Sequence, residues 1–299
     1  MQVRTIEYIV QEGYHNIRAC DYLRGVLGYS SRTLTTLRKE LGLLTVNGTP
    51  QFVVARVGAG DRLCINIPED TMKSLPSTDL PVEVAYEDDD VVVFNKPSGM
   101  PVHESKKHQT GTLANAFAAR CLQRGESLVF RAVNRLDRDT SGLVVVAKHQ
   151  HIANALSGKI KKEYTAIACG EIAAEEGTVD APIKRLAPER QMRIVSDDGQ
   201  HAITHYRVLA RGGGYTLLSL TLETGRTHQI RVHMAHIGYP LAGDRMYGGD
   251  LADIGRQALH CGKVAFTNEI TQKCINIQCG LYKDMQNLLV KVCGPVHGA

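Results

Sequence analysis

The segment 131–148, RAVNRLDRDTSGLVVVAK, contains the residues whose types and spacing are best suited to chemistry. Asp137 and Asp139 lie in its polar part, and a very apolar run follows directly. A turn at the mouth of a buried strand lets a rigid scaffold present a reactive side chain, so this segment can carry a catalytic carboxylate. Aspartate and Ser-Gly pairs are also common turn formers, so the same residues could serve only to shape a loop. Spacing alone leaves both interpretations open.

Arg226 lies in a second polar segment, residues 222–249, with the sequence LETGRTHQIRVHMAHIGYPLAGDRMYGG. The spacing predicts a helix over 227–237 that begins with Thr227 as its N-cap. Three apolar residues would share one face of it, namely Ile230, Met234 and Ile237. Arg226 would then come just before the first helical turn. The planar fork of donors on its guanidinium is suited to hold a carboxylate or a phosphate there.

Three histidines of the same predicted helix, His228, His233 and His236, invite comparison with a metal site. They lack the i, i+4 pair with an acidic residue between, which would place two imidazoles on one face. The eight cysteines of the chain are scattered without a Cys-x-x-Cys pair, which indicates reduced, structural thiols. We therefore expect no metal, and we interpret the histidines as packing residues or phosphate contacts.

Asp137-Arg138-Asp139 also resembles the nucleophile loop Asp-x-Asp-x-Thr of aspartyl-phosphate phosphatases. Position 141 is serine, however, and the apolar strand follows the motif instead of preceding it. The phosphatase loop also lies near the start of its domain, whereas this motif is in mid-chain. The segment fits a phosphatase poorly.

The elements that must position these residues are mostly strands. Strands are predicted at 91–94, 143–147, 163–169, 205–210 and 215–223, with Gly212–Gly214 as a hairpin tip. Helices are predicted at 112–123, 150–159 and 227–237. Because strands dominate and do not alternate strictly with helices, we expect an α+β fold with a mixed, mostly antiparallel sheet. At 299 residues the chain is long enough for this large domain and a small one.

The first 75 residues predict a separate small unit. A helix over 31–41 has Leu34, Leu37 and Leu41 on one face, and Asn47-Gly48 is a hairpin signal between two strands. The second of these strands is predicted at 51–57, and a third follows a Gly-Asp turn. This order resembles the small α+β RNA-binding module first seen in a ribosomal protein of the small subunit. We predict a module at 1–75, a linker at 76–82 and a catalytic domain at 83–299.

The bulk properties narrow the class of partner. A net charge of +4 and a pI near 8.6 permit nucleic-acid binding without requiring it. No apolar run approaches the roughly 20 residues that span a bilayer, and the first residues lack a signal-peptide pattern. We expect a cytoplasmic protein without membrane contact, and a monomer.

Five segments in order make the chain similar to the RluA-type pseudouridine synthases. They cover most of residues 83 to 270 and read YEDDDVVVFNKPSGMPVHES, NRLDRDTSGLVVVAK, KEYTAIACGEI, TGRTHQIRVHMAHIGYPLAGDRMYGG and RQALHCGKVAF. The resemblance implies an isomerase of RNA modification that converts uridines of ribosomal or transfer RNA to pseudouridine. It departs from the family at Asn134, where histidine or glycine is usual, which puts substrate preference in doubt more than activity.

The resemblance also implies which residues act. The catalytic aspartate falls on Asp137, the active-site tyrosine on Tyr164, and the arginine that pairs with the carboxylate on Arg226. Arg135 matches a position implicated in opening the RNA stem around the target base. Further RNA contacts are expected from five basic residues, Lys96, Lys162, Arg32, Arg38 and Lys39.

The chemistry that the resemblance implies needs no cofactor, because breaking and remaking a ribose–uracil bond involves no net oxidation or hydrolysis. An ionised Asp137 could attack the ribose or remove a proton from it, and the residues leave both routes open. The target base must be flipped out of its helix, at a cost of a few kcal/mol. Recognition should then depend on RNA shape and phosphate contacts. The alternative function is a non-catalytic RNA-binding protein of ribosome assembly.

Overall fold

The computed structural model of the chain describes residues 3–29, 31–68, 74–77, 80–105 and 109–294, without the side chains of residues 3, 4, 32, 67 and 68. The helices are α1 (Ala19–Gly25), α2 (Ser31–Leu37), α3 (Leu113–Gln123), α4 (Gln150–Leu156), α5 (Gln229–His236) and α6 (Lys283–Cys293). The strands of the first part are β1 (Val3–Ile9), β2 (Ile17–Arg18), β3 (Leu44–Val46), β4 (Thr49–Gln51), β5 (Arg56–Val57) and β6 (Arg62–Pro68). Those of the remainder are β7 (Glu83–Glu87), β8 (Val91–Lys96), β9 (Ser141–Ala147), β10 (Lys161–Cys169), β11 (Glu176–Asp180), β12 (Ile183–Arg185), β13 (Arg193–Val195), β14 (Ile203–Gly212), β15 (Tyr215–Leu222), β16 (Leu259–Thr267) and β17 (Cys274–Gln278).

A large mixed sheet forms the second part of the molecule, as an α+β fold predicts. Its strand order is β11-β14-β15-β10-β16-β9-β8-β7, and β17 pairs with the far end of β16. All neighbours are antiparallel except β16 and β9, which pair in parallel over two residues. The apolar runs of β8 and β9 are buried along their whole length, which explains why they read as continuous hydrophobic segments.

Gly142 allows the parallel contact between β9 and β16. Its φ is +115°, and a Cβ placed there would lie 2.3 Å from the carbonyl oxygen of Cys261. Only glycine tolerates both the backbone conformation and this close approach. The Ser-Gly pair at the start of β9 therefore holds the loop that precedes it, residues 137–140, against the start of β16.

A four-stranded antiparallel sheet of order β1-β6-β3-β4 forms the first part, with α1 and α2 packed on a core of its own. The Asn47-Gly48 turn between β3 and β4 has two positive φ values, 51° and 81°, as a tight hairpin requires. The Asn47 side chain also accepts from the backbone N–H of Arg62 at 2.9 Å. The domain boundaries at residues 75 and 83 stay predictions, and residues 78 and 79 of the predicted linker lie outside the described part.

Some predicted elements of the first part are wrong in extent. The helix predicted to Leu41 ends at Leu37, and Leu41 is exposed while Leu34 and Leu37 are buried. The strand predicted at 51–57 is interrupted: Gln51 ends β4 and Arg56–Val57 form β5, while residues 52–55 make a turn whose Val53 and Ala55 carbonyls accept from the first N–H groups of α1. Strand β1 and helix α1 were not predicted.

Two aromatic residues of the first part contact the second part at His151, in helix α4. The ring of Tyr29 stacks on the imidazole with 4.0 Å between centroids and 25° between planes, and the Tyr8 hydroxyl lies 3.5 Å from Nε2. Ile270 packs against the cores of both parts. Burial lowers the pKa of His151 to about 4, although the charge of Glu269 opposes this.

Within the described residues, no helix combines the length and the apolar composition that crossing a bilayer requires.

The neutral, buried His151 predicts an acid-sensitive contact between the two parts. The unfolded chain takes up a proton near pH 6.5 and the folded protein only near pH 4, so stability falls as pH decreases through this window. His151 alone should lower the free energy of unfolding by about 2 kcal/mol between pH 7 and pH 5. We expect His151→Phe, which keeps a ring against Tyr29, to lose less melting temperature over this range than the wild type.

His15 is exposed, so His15→Phe is the matched control, and its melting temperature should change with pH as that of the wild type does. The pKa of buried His260 is also about 4, so all of these variants should still lose some stability as the pH decreases. Identical losses for His151→Phe and the wild type would contradict the assignment.

Candidate active site

Asp137 lies in the loop before β9, at the wall of a cavity of about 370 Å³ that includes its open mouth. The Thr140 N–H donates to the Asp137 carbonyl oxygen at 3.1 Å and closes a turn. The carboxylate is one-fifth exposed, so it is accessible from the cavity and still surrounded by protein. The other residues that line the cavity are Arg135, Leu136, Thr140, Tyr164, Leu222, Arg226, His228, Gln229, Ile230, Arg231 and Leu259.

Arg231 is the arginine that contacts Asp137. Its Nη1 lies 3.2 Å from Asp137 Oδ2, and its Nε and Nη2 donate to both oxygens of Asp244 at 2.7 and 2.8 Å. The guanidinium carbon also lies 5.0 Å from the centre of the Tyr247 ring. Burial acts to lower the pKa of Arg231, but the hydrogen bonds and charge of Asp244 and the charge of Asp137 outweigh it and raise the pKa. One cation thus serves two carboxylates.

The predicted pairing of Arg226 with Asp137 is wrong. Arg226 is exposed, and its Nε donates to the carbonyl oxygen of His201 at 2.9 Å. The error follows from the start of α5, which begins at Gln229 instead of Thr227, so that Arg226 lies at the rim of the cavity and Arg231 points inward. A charged residue between the apolar neighbours Ile230 and Val232 was the sequence signal for a buried, paired arginine.

Tyr164 comes from β10 and forms part of the same wall. It pairs with Cys261 in β16 and with Leu220 in β15, so the centre of the large sheet holds its position. Burial first, and then the proximity of Cys261 and Asp137, raises the pKa of the phenol well above 10. The hydroxyl therefore keeps its proton at neutral pH.

His228 is the residue of the site whose position sequence reasoning did not foresee. It is the N-cap of α5 in place of Thr227 and has a left-handed backbone with a φ of 59°. Its Nε2 lies 3.8 Å from Asp137 Oδ2, and its Nδ1 lies 2.8 Å from the Tyr247 hydroxyl. Burial lowers the pKa of His228 despite the nearby charge of Asp137. The Gln229 side chain supports this turn by accepting from the Arg226 N–H at 2.9 Å.

Lys96 does not face RNA, contrary to the prediction. The side chain is fully buried, and Nζ donates to the carbonyl oxygens of Pro97, Met100 and Arg138 at 2.8, 2.8 and 3.0 Å. Burial lowers the pKa of Lys96 to about 7, but three carbonyl acceptors use all three protons of the ammonium and favour its charged form. Lys96 holds the loop that carries Asp137.

The other predicted RNA contacts lie on accessible surface where they are described. Arg135 is exposed at the cavity, and Lys162 is partly exposed beside Tyr164. Arg38 and Lys39 are exposed but follow α2 instead of lying on it. The side chain of Arg32 lies outside the described residues.

In the described part of the chain, no group of three or more His, Cys, Asp or Glu side chains is arranged to hold a metal ion. The three histidines of the predicted helix therefore do not form such a group. His233 is instead a buried packing residue. Its ring nitrogens lie 2.9 Å from the Thr204 hydroxyl and 2.9 Å from the Ala181 carbonyl oxygen.

Comparison with known proteins places these residues in a family context. Residues 90–236 match the family model described as RNA pseudouridylate synthase. The chain is 41% identical to the uncharacterized RNA pseudouridine synthase YlyB of Bacillus subtilis, over 96% of this chain and 98% of that protein. It is 38% identical to ribosomal large subunit pseudouridine synthase D of Pasteurella multocida, over 84% and 83% of the two chains. The fold is similar to human RNA pseudouridylate synthase domain containing 4, with a TM-score of 0.57, 24% identity, and coverage of 70% of this chain and 92% of that one.

The two arginines predict opposite outcomes when each is replaced by glutamine. Arg231→Gln leaves the buried carboxylate of Asp244 without its cation, so the free energy of unfolding should fall by about 3 to 5 kcal/mol. Arg226→Gln changes an exposed side chain and should stay within about 0.5 kcal/mol of the wild type. Urea unfolding of both variants measures the difference, and equal losses would refute the assignment of the pair.

Proposed function

Because the chain belongs to the RluA-type family of RNA pseudouridine synthases, we propose that Asp137 is the carboxylate with which this isomerase converts uridine to pseudouridine. The observation that supports this assignment is the geometry around that residue. A mostly buried carboxylate, held by Arg231 at 3.2 Å, forms part of the wall of a cavity together with an aromatic ring, Tyr164.

The cavity suits a single flipped base. The space of about 370 Å³ includes the open mouth, through which a base flipped out of RNA would enter. Uracil would lie against the ring of Tyr164, with its ribose toward Asp137. Arg231 and His228 both approach Oδ2 of the carboxylate, so we assign Oδ1 to the ribose.

The reaction breaks the bond between ribose C1′ and uracil N1, turns the ring, and joins C1′ to C5. The proton that C5 loses is balanced by the proton that N1 gains, so no oxidant, reductant or water is consumed, and we propose that the enzyme needs no cofactor. Asp137 attacks C1′ in one route and removes a ribose proton in the other. In both routes uracil leaves the ribose as an anion.

We propose structured RNA of the ribosome as the substrate, because the relative from Pasteurella multocida is named for the large ribosomal subunit. Arg135, exposed at the cavity mouth, would replace the flipped base in its helix. The first 75 residues would act as an RNA-binding module, with Arg38 and Lys39 as phosphate contacts, and Lys162 of β10 would add a further one. We further propose that the protein acts in the cytoplasm as a monomer.

Transcripts of ribosomal RNA and of transfer RNA distinguish the two classes of substrate. Purified protein should form pseudouridine in large-subunit ribosomal RNA and leave a pool of transfer RNA unmodified. Modification of transfer RNA alone would overturn the ribosomal assignment and leave the activity intact.

Asp137→Asn should abolish release of tritium from RNA labelled at uracil C5, with a rate at least 10³-fold lower than that of the wild type. The amide can neither attack nor accept a proton, while the fold and RNA affinity should persist. The assay contains EDTA, because a magnesium-dependent phosphatase would be inactive and a synthase would not.

The matched control is Asp139→Asn, in the same loop. Its carboxylate pairs with the exposed Arg138 at 2.9 Å and is not among the residues that line the cavity, so the rate should stay within tenfold of the wild type. An active Asp137→Asn variant would refute the catalytic assignment. Bound RNA without any tritium release by the wild type would favour a non-catalytic binding protein.

A further inference from the structure

His228 combines three features that a packing residue does not need. It occupies a left-handed backbone conformation, it lines the cavity, and its Nε2 approaches the carboxylate assigned as catalytic. A non-glycine residue in this conformation is uncommon and costs about 1 to 3 kcal/mol, although asparagine, aspartate and histidine are enriched there. Such conformations cluster at functional sites, so the position of the imidazole in the cavity indicates a role in the reaction.

The neighbours of His228 determine which ring nitrogen carries the proton. The Tyr247 hydroxyl accepts the backbone N–H of Arg193 at 2.9 Å and lies 2.8 Å from His228 Nδ1. Burial raises the pKa of Tyr247, so its hydroxyl keeps a proton to donate to Nδ1. The opposite nitrogen, Nε2, faces Asp137 at 3.8 Å, where a negative charge favours an N–H over a lone pair. The arrangement therefore selects the neutral imidazole with its proton on Nε2.

Burial and four charged neighbours act on the pKa of His228. Burial is the largest effect and lowers the pKa; the charges of Arg231 and Arg193 act in the same direction, and those of Asp137 and Asp244 oppose it. The ring is accordingly neutral at pH 7. A neutral imidazole N–H can serve as the donor to an oxygen on which negative charge develops, as enzymes that form enolates illustrate.

The reaction creates such a charge in this cavity. When uracil leaves the ribose, the negative charge is shared among N1, O2 and O4, whichever route Asp137 takes. Arg231 already donates to two carboxylates, and the phenol of Tyr164 is buried against Cys261. Preformed donors aimed at a developing charge commonly contribute 10²- to 10³-fold in rate.

We infer that His228 is a further catalytic residue, which donates Nε2–H to a carbonyl oxygen of the detached uracil anion and stabilises it while the ring turns. This inference rests on the proposed function of Asp137. The hydrogen bond would form with the base in the cavity, and it involves no net proton transfer. Tyr247 would act through His228 as a positioning residue.

Two substitutions separate hydrogen-bond donation from a conformational role. The amide nitrogen of glutamine reaches the position of Nε2, whereas that of asparagine reaches only the position of Nδ1. Asparagine, however, adopts the left-handed conformation more readily than most residues. If His228 donates to uracil, His228→Gln should retain more activity than His228→Asn. If it only shapes the turn, the order should reverse.

The experiment measures single-turnover tritium release from C5-labelled RNA with enzyme in excess, together with RNA affinity. We expect the rate to fall 10²- to 10³-fold in His228→Asn and about tenfold in His228→Gln, with the dissociation constant for RNA unchanged in both. The wild-type rate should be level from pH 7 to pH 9, because the donor is already neutral. A tenfold decrease per pH unit over this range would indicate an imidazolium and overturn the inference, as would a His228→Asn rate within tenfold of the wild type.

Asp137→Asn in the same assay distinguishes a failure of the proposed function from a failure of the role of His228. An active Asp137→Asn variant refutes the proposed function itself. An inactive Asp137→Asn variant beside an active His228→Asn variant refutes only the role of His228. Melting curves identify a variant that fails to fold, and the Gln variant then decides the question alone, since a rate more than 10³-fold below that of the wild type would count against donation.

Discussion

The buried guanidinium of Arg231 is the interaction on which the site depends. It lies between Asp137 and Asp244, and it joins helix α5 both to the turn that follows α5 and to the loop before β9, which is distant in sequence. Asp244 is almost fully buried, and a buried carboxylate without a cation is strongly destabilising. Breaking the pair Arg231–Asp244 would therefore destabilise the fold, and Asp137 uses the donor that remains.

The loop that carries Asp137 is also held through its backbone carbonyls. Lys96 donates to the Arg138 carbonyl oxygen, and both Ser98 and Arg256 donate to that of Asp139. Arg256 in turn forms a bidentate pair with Asp284 at the start of α6. These contacts fix a polar loop before substrate arrives, which is the condition for electrostatic preorganisation.

This use of cations explains why a mild positive charge is a poor guide to the RNA surface. Lys96, Arg231 and Arg256 are basic residues that would count toward a nucleic-acid footprint, yet all three are buried and satisfy protein oxygens. The basic groups left to contact RNA are exposed ones such as Arg135 and Arg226 at the cavity rim. The target base is uracil in every RNA, so the choice among RNAs must depend on surfaces outside the cavity.

Sequence alone determined the α+β class, the central strands and the loop that presents Asp137. Hydrophobic runs report buried strands directly, and the Asn47-Gly48 and Ser-Gly pairs carry their backbone requirements in their residue types. The family motifs also assigned Tyr164 to the site from sequence alone. These features depend on residues close together in the chain.

Only the tertiary structure decided which arginine of the second segment meets the carboxylate, and that Lys96 turns inward. The start of α5 is set by Gln229, whose side chain donates to the Ile203 carbonyl and the Thr204 hydroxyl of a distant strand. Moving that start by two residues changes which side chains face the cavity, because each helical residue rotates the face by about 100°. His228, Arg231 and Lys96 acquire their roles from partners far away in sequence, and no local pattern records such contacts.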